Sequence, residues 1–220
     1  MTVIGITGPT GAGKTTALEI LAERGFEIVD CDALYYRLLQ TDGALRQKLT
    51  DAFGPVFLPD GSLDRRTLAE RVFSSKGELA KLNGIVFPAV SAAVEQKIKN
   101  CSQNGLAIDA INLVESGMGG LCSATVAVTA PPAVRLKRIM VRDGLTEEQA
   151  WARIGAQKSE AWYRENCTFL LENREEDRDA CRTLMRGFFN NILVWMEEGV
   201  QENGCEKVER ETSYGEEKRL

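Results

Sequence analysis

The fold of this chain is decided near its start, where the sequence reads Gly8-Pro9-Thr10-Gly11-Ala12-Gly13-Lys14-Thr15. The segment matches the pattern G-x-x-x-x-G-K-[ST] in full, and it lies between an apolar run at residues 3–7 and a helix-forming run. In this pattern the glycines let backbone N–H groups point inward, where they and the helix N-terminus form a nest for a phosphate. A purely structural glycine turn needs neither the Lys-Thr pair nor this strand-loop-helix context. The segment therefore predicts a phosphate-binding loop, or P-loop, for a nucleotide.

Two side chains of the P-loop indicate which nucleotide it holds. The ammonium group of Lys14 is expected to bridge the β- and γ-phosphates, and the hydroxyl of Thr15 is expected to ligate Mg²⁺. The sequence thus predicts ATP and Mg²⁺ as cofactors, with Thr15 as the metal ligand that the chain supplies. The residues predicted to bind ATP in this region are Gly8, Gly11, Ala12, Gly13, Lys14, Thr15 and Thr16.

Length and charge exclude several classes of partner. A chain of 220 residues fits one compact domain that carries insertions. No apolar run approaches the ~20 residues needed to span a bilayer, and the chain does not start with a basic leader, so we expect a cytoplasmic protein with no membrane partner. The net charge of -5 argues against a global attraction to nucleic acid. We expect a monomer whose partners are ATP and a small-molecule acceptor.

The cysteine and histidine content excludes other chemistry. The sequence contains no histidine, and its six cysteines form no C-x-x-C pair. Zinc sites and histidine-based acid–base catalysis are therefore poorly supported, and reduced, buried thiols are the simpler interpretation.

Short apolar runs alternate with longer amphipathic runs along the chain, which is typical of βα units around a parallel sheet. The pattern predicts an α/β fold, the three-layer sandwich of P-loop NTPases with a five-stranded parallel sheet. Strands are predicted at residues 3–7, 27–30, 106–110, 125–129 and 169–172.

Two helical regions interrupt this alternation. The stretch between Asp32 and Asn104 has no convincing strand but has helical patterns at 45–53, 65–73 and 89–100, so it predicts a helical insertion suited to binding the acceptor. A second region follows a helix predicted at 134–142, where Thr146 and Gln149 form a capping box for a helix that runs to Ala156. This pair of helices, with its basic residues, suits a mobile lid. The predicted division is a nucleotide-binding core at 1–31, 105–135 and 165–200, an acceptor subdomain at 32–104, a lid at 136–164 and a disordered charged tail at 201–220.

Carboxylates follow two of the predicted strands. Asp30-Cys31-Asp32 comes at the carboxyl end of the second strand, the edge where α/β sheets bind ligands. If Asp30 ends the strand and Asp32 begins the loop, Asp32 can face the γ-phosphate and accept the proton of an acceptor hydroxyl. The two carboxylates could also simply cap the following helix, although the catalytic interpretation is favoured. Asp109 ends the third strand and is the acid expected near Mg²⁺, although apolar runs ending in Asp are common.

Three arginines recur on the helix predicted after the fourth strand. Arg135, Arg138 and Arg142 are spaced three and four residues apart, which places them on one helical face. Such a stripe can be a solvated surface, or it can supply the cations that neutralise a phosphoryl group in transfer. The residues alone leave both interpretations open.

The chain up to about Asn173 resembles the dephospho-CoA kinases. After the P-loop, the most specific match is the segment 138–150, continuing to Gln157, which is similar to the lid of that family. The resemblance implies that Arg138 and Arg142 close over the phosphates and exclude water.

Shorter matches extend the resemblance to other parts of the site. Asp32 matches the second Asp of the family's strand-end motif, which implies that it is the catalytic base. Arg65 ends an Asp-Gly-Ser-Leu-Asp-Arg segment similar to the family's acceptor-domain pattern, which implies a position near the acceptor's phosphates. Glu115 lies in a Val-Glu-Ser-Gly match, and Asn173 ends a Leu-Glu-Asn match near where the family holds adenine.

The chain departs from the family on the expected acceptor side. It has Phe87-Pro88 where the family usually has His-Pro, and Asp109-Ala110-Ile111-Asn112-Leu113 where the family usually reads Asp-x-Pro-Leu-Leu. The resemblance therefore supports ATP chemistry more strongly than it supports the acceptor's identity. The predicted catalytic residues are Lys14, Asp32, Arg138 and Arg142, and the predicted substrate-binding residues are Arg65, Phe87, Asp109 and Glu115, with Asn173 added to the ATP site.

The function that the resemblance implies is transfer of the γ-phosphoryl group of ATP to the ribose 3′-hydroxyl of dephospho-CoA, the last step of coenzyme A synthesis. One alternative is a P-loop kinase for another small alcohol, because an Asp-x-Asp after the second strand also resembles shikimate kinase, although that family is shorter and lacks the long insertion. Another is a non-catalytic, regulatory nucleotide-binding protein. Intact Lys14, Thr15 and Asp32 argue against the latter, since a protein that only binds has no need of a base.

Overall fold

The computed structural model describes residues 1–73, 75–175 and 177–198, so the charged tail predicted at 201–220 lies outside the described residues. The centre of the protein is a five-stranded parallel sheet with the strand order β2-β3-β1-β4-β5. Each of the five predicted strands is confirmed to within one residue at either end. The strands are β1 (Thr2–Thr7), β2 (Phe26–Asp30), β3 (Gly105–Asp109), β4 (Ala124–Thr129) and β5 (Phe169–Glu172).

The three middle strands, β3, β1 and β4, are almost entirely buried. Their sequences are continuous apolar runs rather than alternating ones because helices cover both faces of the sheet. The strand order places β1 at the centre, so the loop after β1 lies in the middle of the carboxyl edge, between the ends of β3 and β4. This is the edge at which parallel α/β sheets bind ligands.

Helices flank the sheet on both sides. The predicted helices near 14–24, 45–53, 65–73, 134–142 and 147–156 are confirmed to within two residues, and the predicted capping box of Thr146 and Gln149 is present. The helices of the described ranges are α1 (Lys14–Glu23), α2 (Cys31–Thr41), α3 (Gly43–Phe53), α4 (Arg65–Val72), α5 (Lys76–Asn100), α6 (Pro132–Asp143), α7 (Glu147–Gly155), α8 (Glu160–Asn166) and α9 (Arg178–Glu197), with a short 3₁₀ helix at Met118–Leu121.

One helix boundary was predicted wrongly. The helix expected at 89–100 is the second half of α5, which begins at Lys76 and runs through Pro88. A proline inside a helix removes one backbone hydrogen bond, which usually favours a break. Here Val86, Val90 and Val94 recur every four residues and pack into one buried cluster, so tertiary packing holds the helix together across the proline.

The layers of the fold have separate cores. One core packs Ile4 and Ile6 of the sheet against α1 and α9, with Phe189 fully buried at its centre. The other packs the opposite face, including Leu106 and Ile108, against α2 and α5. Helices on both faces of one parallel sheet confirm the predicted three-layer sandwich.

The two helical regions have their own smaller cores. Leu49, Phe53 and Leu68 belong to a buried cluster formed within the region predicted to bind the acceptor. Ile139 of α6 packs with Ile154 and Ala150 of α7 in a further cluster at the predicted lid. Among the described residues, no helix is long and apolar enough to cross a membrane.

Candidate active site

The P-loop joins β1 to α1 in a conformation that requires glycine. Gly8, Gly11 and Gly13 have φ angles of 132°, 80° and 109°, in the left-handed region that other residues avoid. A Cβ atom on Gly8 would lie 2.0 Å from the carbonyl oxygen of Val128 on the neighbouring strand β4. The glycines predicted from the motif therefore have a steric reason to be where they are.

Lys14 is the first residue of α1, and its ammonium group lies inside the loop. Its Nζ donates hydrogen bonds to the carbonyl oxygens of Gly8 (2.7 Å) and Pro9 (3.4 Å). Burial lowers the pKa of Lys14, and nearby Asp109 partly offsets that by raising it. A cation held in the loop in this way is placed to attract phosphate oxygens.

The acidic motif after β2 differs from its expected arrangement. Asp30 ends the strand, as predicted, and its Oδ1 accepts a hydrogen bond from the backbone N–H of Ala33 at 2.9 Å, so it is the N-cap of α2. Asp32 therefore lies in the first turn of α2 and does not begin a loop, which corrects the prediction. The capping alternative holds for Asp30, and it leaves the carboxylate of Asp32 available for chemistry.

Asp32 and Asp109 form one electrostatic group with Lys14. Burial raises the pKa of Asp32, Asp30 raises it further and Lys14 lowers it. Burial also raises the pKa of Asp109. Asp30 and Asp32 raise this pKa further, and Lys14 lowers it. Carboxylates with raised pKa values bind protons more readily, which suits the acceptance of a proton from an alcohol.

Part of the arginine stripe of α6 contacts the P-loop. Arg138 donates through one nitrogen to the carbonyl oxygens of Gly11 (3.0 Å) and Ala12 (3.2 Å), and through another to the carbonyl of Glu175. Arg142 pairs with the adjacent Asp143, with donor–acceptor distances of 2.7 and 2.9 Å, and is half-exposed. The stripe is therefore not a merely solvated surface, because Arg138 is held against the loop backbone.

Arg135 and Gln157 were not among the predicted site residues. Arg135 is only 6% exposed, and its Nε donates to the carbonyl oxygen of Thr10 at 2.9 Å. A second nitrogen of Arg135 donates to Oε1 of Gln157, which also bonds Thr10. The helical spacing of the arginines pointed to Arg135, but no local pattern marked Gln157 as its partner.

Asn173 lies directly beneath the P-loop, at the end of β5. It is fully buried, its Nδ2 donates to the carbonyl oxygen of Ala12 at 2.9 Å, and its own N–H donates to the carbonyl of Thr129. A Cβ atom on Gly13 would come within 2.5 Å of Nδ2 of Asn173, so the loop and the amide are closely apposed. The structure thus places Asn173 at the ATP loop, and a contact with adenine stays a prediction.

The predicted acceptor residues lie on several elements. Arg65 begins α4, and its guanidinium stacks 4.3 Å from the ring centre of Tyr36. Tyr36 is four residues after Asp32 on α2, so both lie on the same face of that helix. Tyr36 was missed because a lone tyrosine in a helix carries no functional pattern. The stacking brings Arg65 to the side of α2 that carries the predicted base.

The remaining predicted acceptor residues are Glu115 and Phe87. Glu115 lies in the loop between β3 and β4, with its carboxylate 3.8 Å from the ammonium of Lys158 in the predicted lid segment. Phe87 is half-buried on α5, one residue before Pro88. The roles predicted for both in acceptor binding stay predictions.

The loop chemistry fits a magnesium ion held mainly by nucleotide oxygens. Within the described ranges, no group of three or more acidic, cysteine or histidine side chains could hold a metal by itself. Mg²⁺ in phosphate sites takes one or two protein oxygens together with phosphates and water. Thr15 is exposed in the first turn of α1, beside the loop, where its hydroxyl can supply such an oxygen.

Matches to known proteins cover most of the chain. A family model described as dephospho-CoA kinase matches residues 2–179. A dephospho-CoA kinase of Dehalococcoides mccartyi is 37% identical over 191 residues, which cover 84% of this chain and 96% of that protein. A crystal structure from Thermus thermophilus is 31% identical with a TM-score of 0.72, covering 88% of this chain and 97% of its own. A shikimate kinase from Bacteroides thetaiotaomicron, 15% identical with a TM-score of 0.54 over 87% of this chain and 98% of its own, shares the fold.

Proposed function

The chain belongs to the dephospho-CoA kinase family, and from that premise we propose how its own residues carry out the family's reaction. The enzyme transfers the γ-phosphoryl group of ATP to the ribose 3′-hydroxyl of dephospho-CoA, which yields coenzyme A and ADP. One observation carries the assignment of roles: the carboxylate of Asp32 and the ammonium of Lys14 lie close enough to shift each other's pKa at the mouth of the P-loop. A donor cation and a proton acceptor thus belong to one electrostatic group.

The donor is held by the P-loop. Its backbone N–H groups and the N-terminus of α1 bind the β-phosphate, and Lys14 exchanges its hydrogen bonds to the loop carbonyls for bonds to the β- and γ-phosphates. Thr15, together with water and phosphate oxygens, would hold Mg²⁺, which would supply positive charge to neutralise the transferring group. Asn173 supports this site from below by holding the carbonyl of Ala12.

The acceptor binds beside α2, within the helical subdomain at 32–104. Asp32 orients the 3′-hydroxyl toward the γ-phosphate and accepts its proton, a role that its raised pKa favours. Arg65, held on the ring of Tyr36, binds the phosphates of dephospho-CoA. Asp109, Glu115 and Phe87 complete the acceptor side of the pocket.

The lid at 136–164 closes over the reacting groups. Arg138 already lies on the backbone of the P-loop, and Arg142 is one turn further along α6, near enough to Lys14 to lower its pKa. Both cations neutralise charge on the phosphoryl group in the transition state. Closure also excludes water, which would otherwise accept the phosphoryl group.

The alternatives raised by the sequence are weaker than this assignment. The shikimate kinase that shares the fold has only 15% sequence identity, and it therefore speaks only for the fold. A non-catalytic role has no use for a base beside the P-loop. An assay that couples ADP release to a spectroscopic signal, run with dephospho-CoA, with shikimate and with no acceptor, separates the three, since only the first should give rapid release.

We also propose that the enzyme acts as a monomer in the cytoplasm. The five cysteines in the described ranges are free thiols, as expected in a reducing compartment. Burial raises the pKa of Cys31 and of Cys122 to about 12, so neither is a reactive thiolate at neutral pH.

A further inference from the structure

Gln157 connects the predicted lid to the tip of the P-loop. It follows α7 and precedes α8, 147 residues away from Thr10 in the chain. The N–H of Thr10 donates to Oε1 of Gln157 at 3.2 Å, and Nε2 of Gln157 donates to the hydroxyl of Thr10 at 3.0 Å. The side-chain amide therefore uses both its acceptor and its donor on one residue of the loop.

The contact is made where the loop turns. The N–H of Ala12 donates to the carbonyl of Pro9 at 3.3 Å, which closes a turn with Thr10 and Gly11 at its tip. A group that holds Thr10 thus holds the part of the loop that must keep its shape around the phosphates. A side chain at Gly11 would be strained, because the residue has a φ of 80° and a Cβ atom would lie 3.1 Å from the carbonyl oxygen of Arg135 on α6.

Arg135 joins the same contact from below. Its buried guanidinium donates to the carbonyl of Thr10 at 2.9 Å and to Oε1 of Gln157. A buried cation needs such acceptors, because an unpaired one is strongly destabilising. Oε1 of Gln157 therefore receives two hydrogen bonds, one from the loop and one from α6, so a single amide links three segments.

We propose that Gln157 is a positioning residue that couples the lid to the state of the P-loop. When nucleotide fixes the loop, the amide holds the lid segment against Thr10, so that the arginines of α6 stay over the phosphates and water is kept out. This inference rests on the proposed donor site and lid. It assigns to Gln157 an effect on whether the phosphoryl group is transferred to the acceptor or to water. A residue needed only for folding does not have this effect.

Three single substitutions test the coupling. Gln157→Ala removes every hydrogen bond of the amide, and Gln157→Glu keeps an acceptor for Arg135 but no longer donates to Thr10. Gln149→Ala is the matched control, because Gln149 is a glutamine of the same lid whose amide accepts a hydrogen bond from the cap residue Thr146 within its own helix turn. Thermal unfolding of each variant, followed by circular dichroism, shows which of them fold.

The first measurement is the ratio of two rates, phosphoryl transfer from ATP to water and phosphoryl transfer from ATP to dephospho-CoA. We expect Gln157→Ala to lose about 10- to 100-fold in kcat with a smaller change in KM for dephospho-CoA, and to raise the ratio, because small misplacements of catalytic groups have effects of this size. Gln157→Glu should fall between Gln157→Ala and the unaltered enzyme, and Gln149→Ala should leave the ratio unchanged. Equal ratios in the Gln157 and Gln149 variants would overturn the proposal.

A second measurement does not depend on turnover. Two of the three tryptophans, Trp151 and Trp162, lie in the lid region, so a non-hydrolysable ATP analogue should change the fluorescence of the unaltered enzyme. The change should be lost in a folded Gln157→Ala or Gln157→Glu variant and kept in Gln149→Ala. An unaltered response in both Gln157 variants contradicts the coupling. If the unaltered enzyme responds to the analogue but does not phosphorylate dephospho-CoA, the proposed function fails while the coupling stands.

Discussion

Asp30 and Asp109 are direct neighbours in register across strands β2 and β3, at the edge of the sheet where the P-loop lies. Paired positions on adjacent strands are about 5 Å apart, so the two carboxylates end their strands side by side. Asp32 follows in the first turn of α2, and the ammonium of Lys14 interacts with both Asp32 and Asp109. The acidity of the proposed base is therefore set by its neighbours as well as by its burial.

Substitution of Asp30 should move the pH dependence of the reaction. The negative charge of Asp30 raises the pKa of Asp32. As the pH falls, Asp32 is therefore protonated, and turnover is lost, at a higher pH than it would be without that charge. Asp30→Asn removes the charge and keeps a good N-cap for α2, so the pKa of Asp32 should fall and the acid limb of kcat should move to lower pH. Rate profiles between pH 4 and 8, at about saturating substrates, measure the shift.

The matched control for this experiment is Asp42→Asn. Asp42 is likewise the N-cap of a helix, α3, and accepts from the N–H of Leu45, but it lies at the opposite end of α2 from Asp32. Its variant should keep the original acid limb. A shift of the limb to higher pH in Asp30→Asn would show that the charge acts in the opposite sense to the one described.

Loss of Arg138 should reduce catalysis much more than stability. Arg138→Ala removes a guanidinium that bonds the carbonyls of Gly11 and Ala12, and removal of one preorganised charge-stabilising group typically lowers kcat by about 10²–10³-fold. Steady-state kinetics measure the loss. The control is Arg66→Ala, since Arg66 is an exposed arginine that pairs with Glu70 on α4. A kcat for Arg138→Ala within a few-fold of the unaltered enzyme would remove this residue from the catalytic group.

Asn173 should matter for both the stability of the protein and the affinity for ATP. Asn173→Ala removes one of the two hydrogen bonds to the carbonyl of Ala12, the other coming from Arg138, and loss of one buried hydrogen bond lowers the free energy of unfolding by about 0.5–1.5 kcal/mol. Because Ala12 belongs to the P-loop, the KM for ATP should rise as well. Urea unfolding and steady-state kinetics measure the two effects.

The control for Asn173 is an asparagine with the same kind of bond at the surface. Asn104 donates through Nδ2 to the carbonyl of Arg24 in an exposed loop. Asn104→Ala should change the free energy of unfolding by no more than about 0.5 kcal/mol. It should leave the KM for ATP unchanged. If Asn173→Ala lowered stability but left the KM for ATP unchanged, Asn173 would be a support of the fold rather than of the nucleotide site.

Substitution of Thr15 tests the proposed magnesium ligand. Thr15→Ser keeps a hydroxyl and should retain most activity, whereas Thr15→Val keeps the shape and removes the oxygen, so the Mg²⁺ concentration for half-maximal rate should rise. A titration of rate against Mg²⁺ at fixed ATP measures this value. The hypothesis fails if Thr15→Val and Thr15→Ser need the same concentration of Mg²⁺.

The sequence predicted those features that depend on local patterns. The five strands and the P-loop were predicted because apolar runs and glycine positions are read from neighbouring residues, and all three glycines of the P-loop have positive φ. The exact place of Asp32 was not predicted, since the capping role of Asp30 depends on where α2 begins. The course of α5 through Pro88 was also missed, because packing of Val86, Val90 and Val94 overrides the local preference of proline.

Contacts between distant segments explain the rest of what the sequence did not predict. Gln157 and Thr10 are brought together only by the fold of α6 and α7, and no spacing in the chain relates them. Tyr36 supports Arg65 across two helices of the insertion, in a contact that the sequence also does not mark. The residues proposed for the site could therefore be named from local patterns, whereas Gln157 and Tyr36, which hold neighbours in position, could not.

The most direct test of the central claim is the rate of phosphoryl transfer from ATP to dephospho-CoA in the Asp32→Asn variant, with ATP binding measured on the same protein. The account predicts that turnover falls by about 10²–10⁴-fold, the range for loss of a general base, while ATP still binds. Lys14→Ala, in contrast, should lose both turnover and tight ATP binding. An Asp32→Asn variant that phosphorylates dephospho-CoA at the rate of the unaltered enzyme would contradict the account.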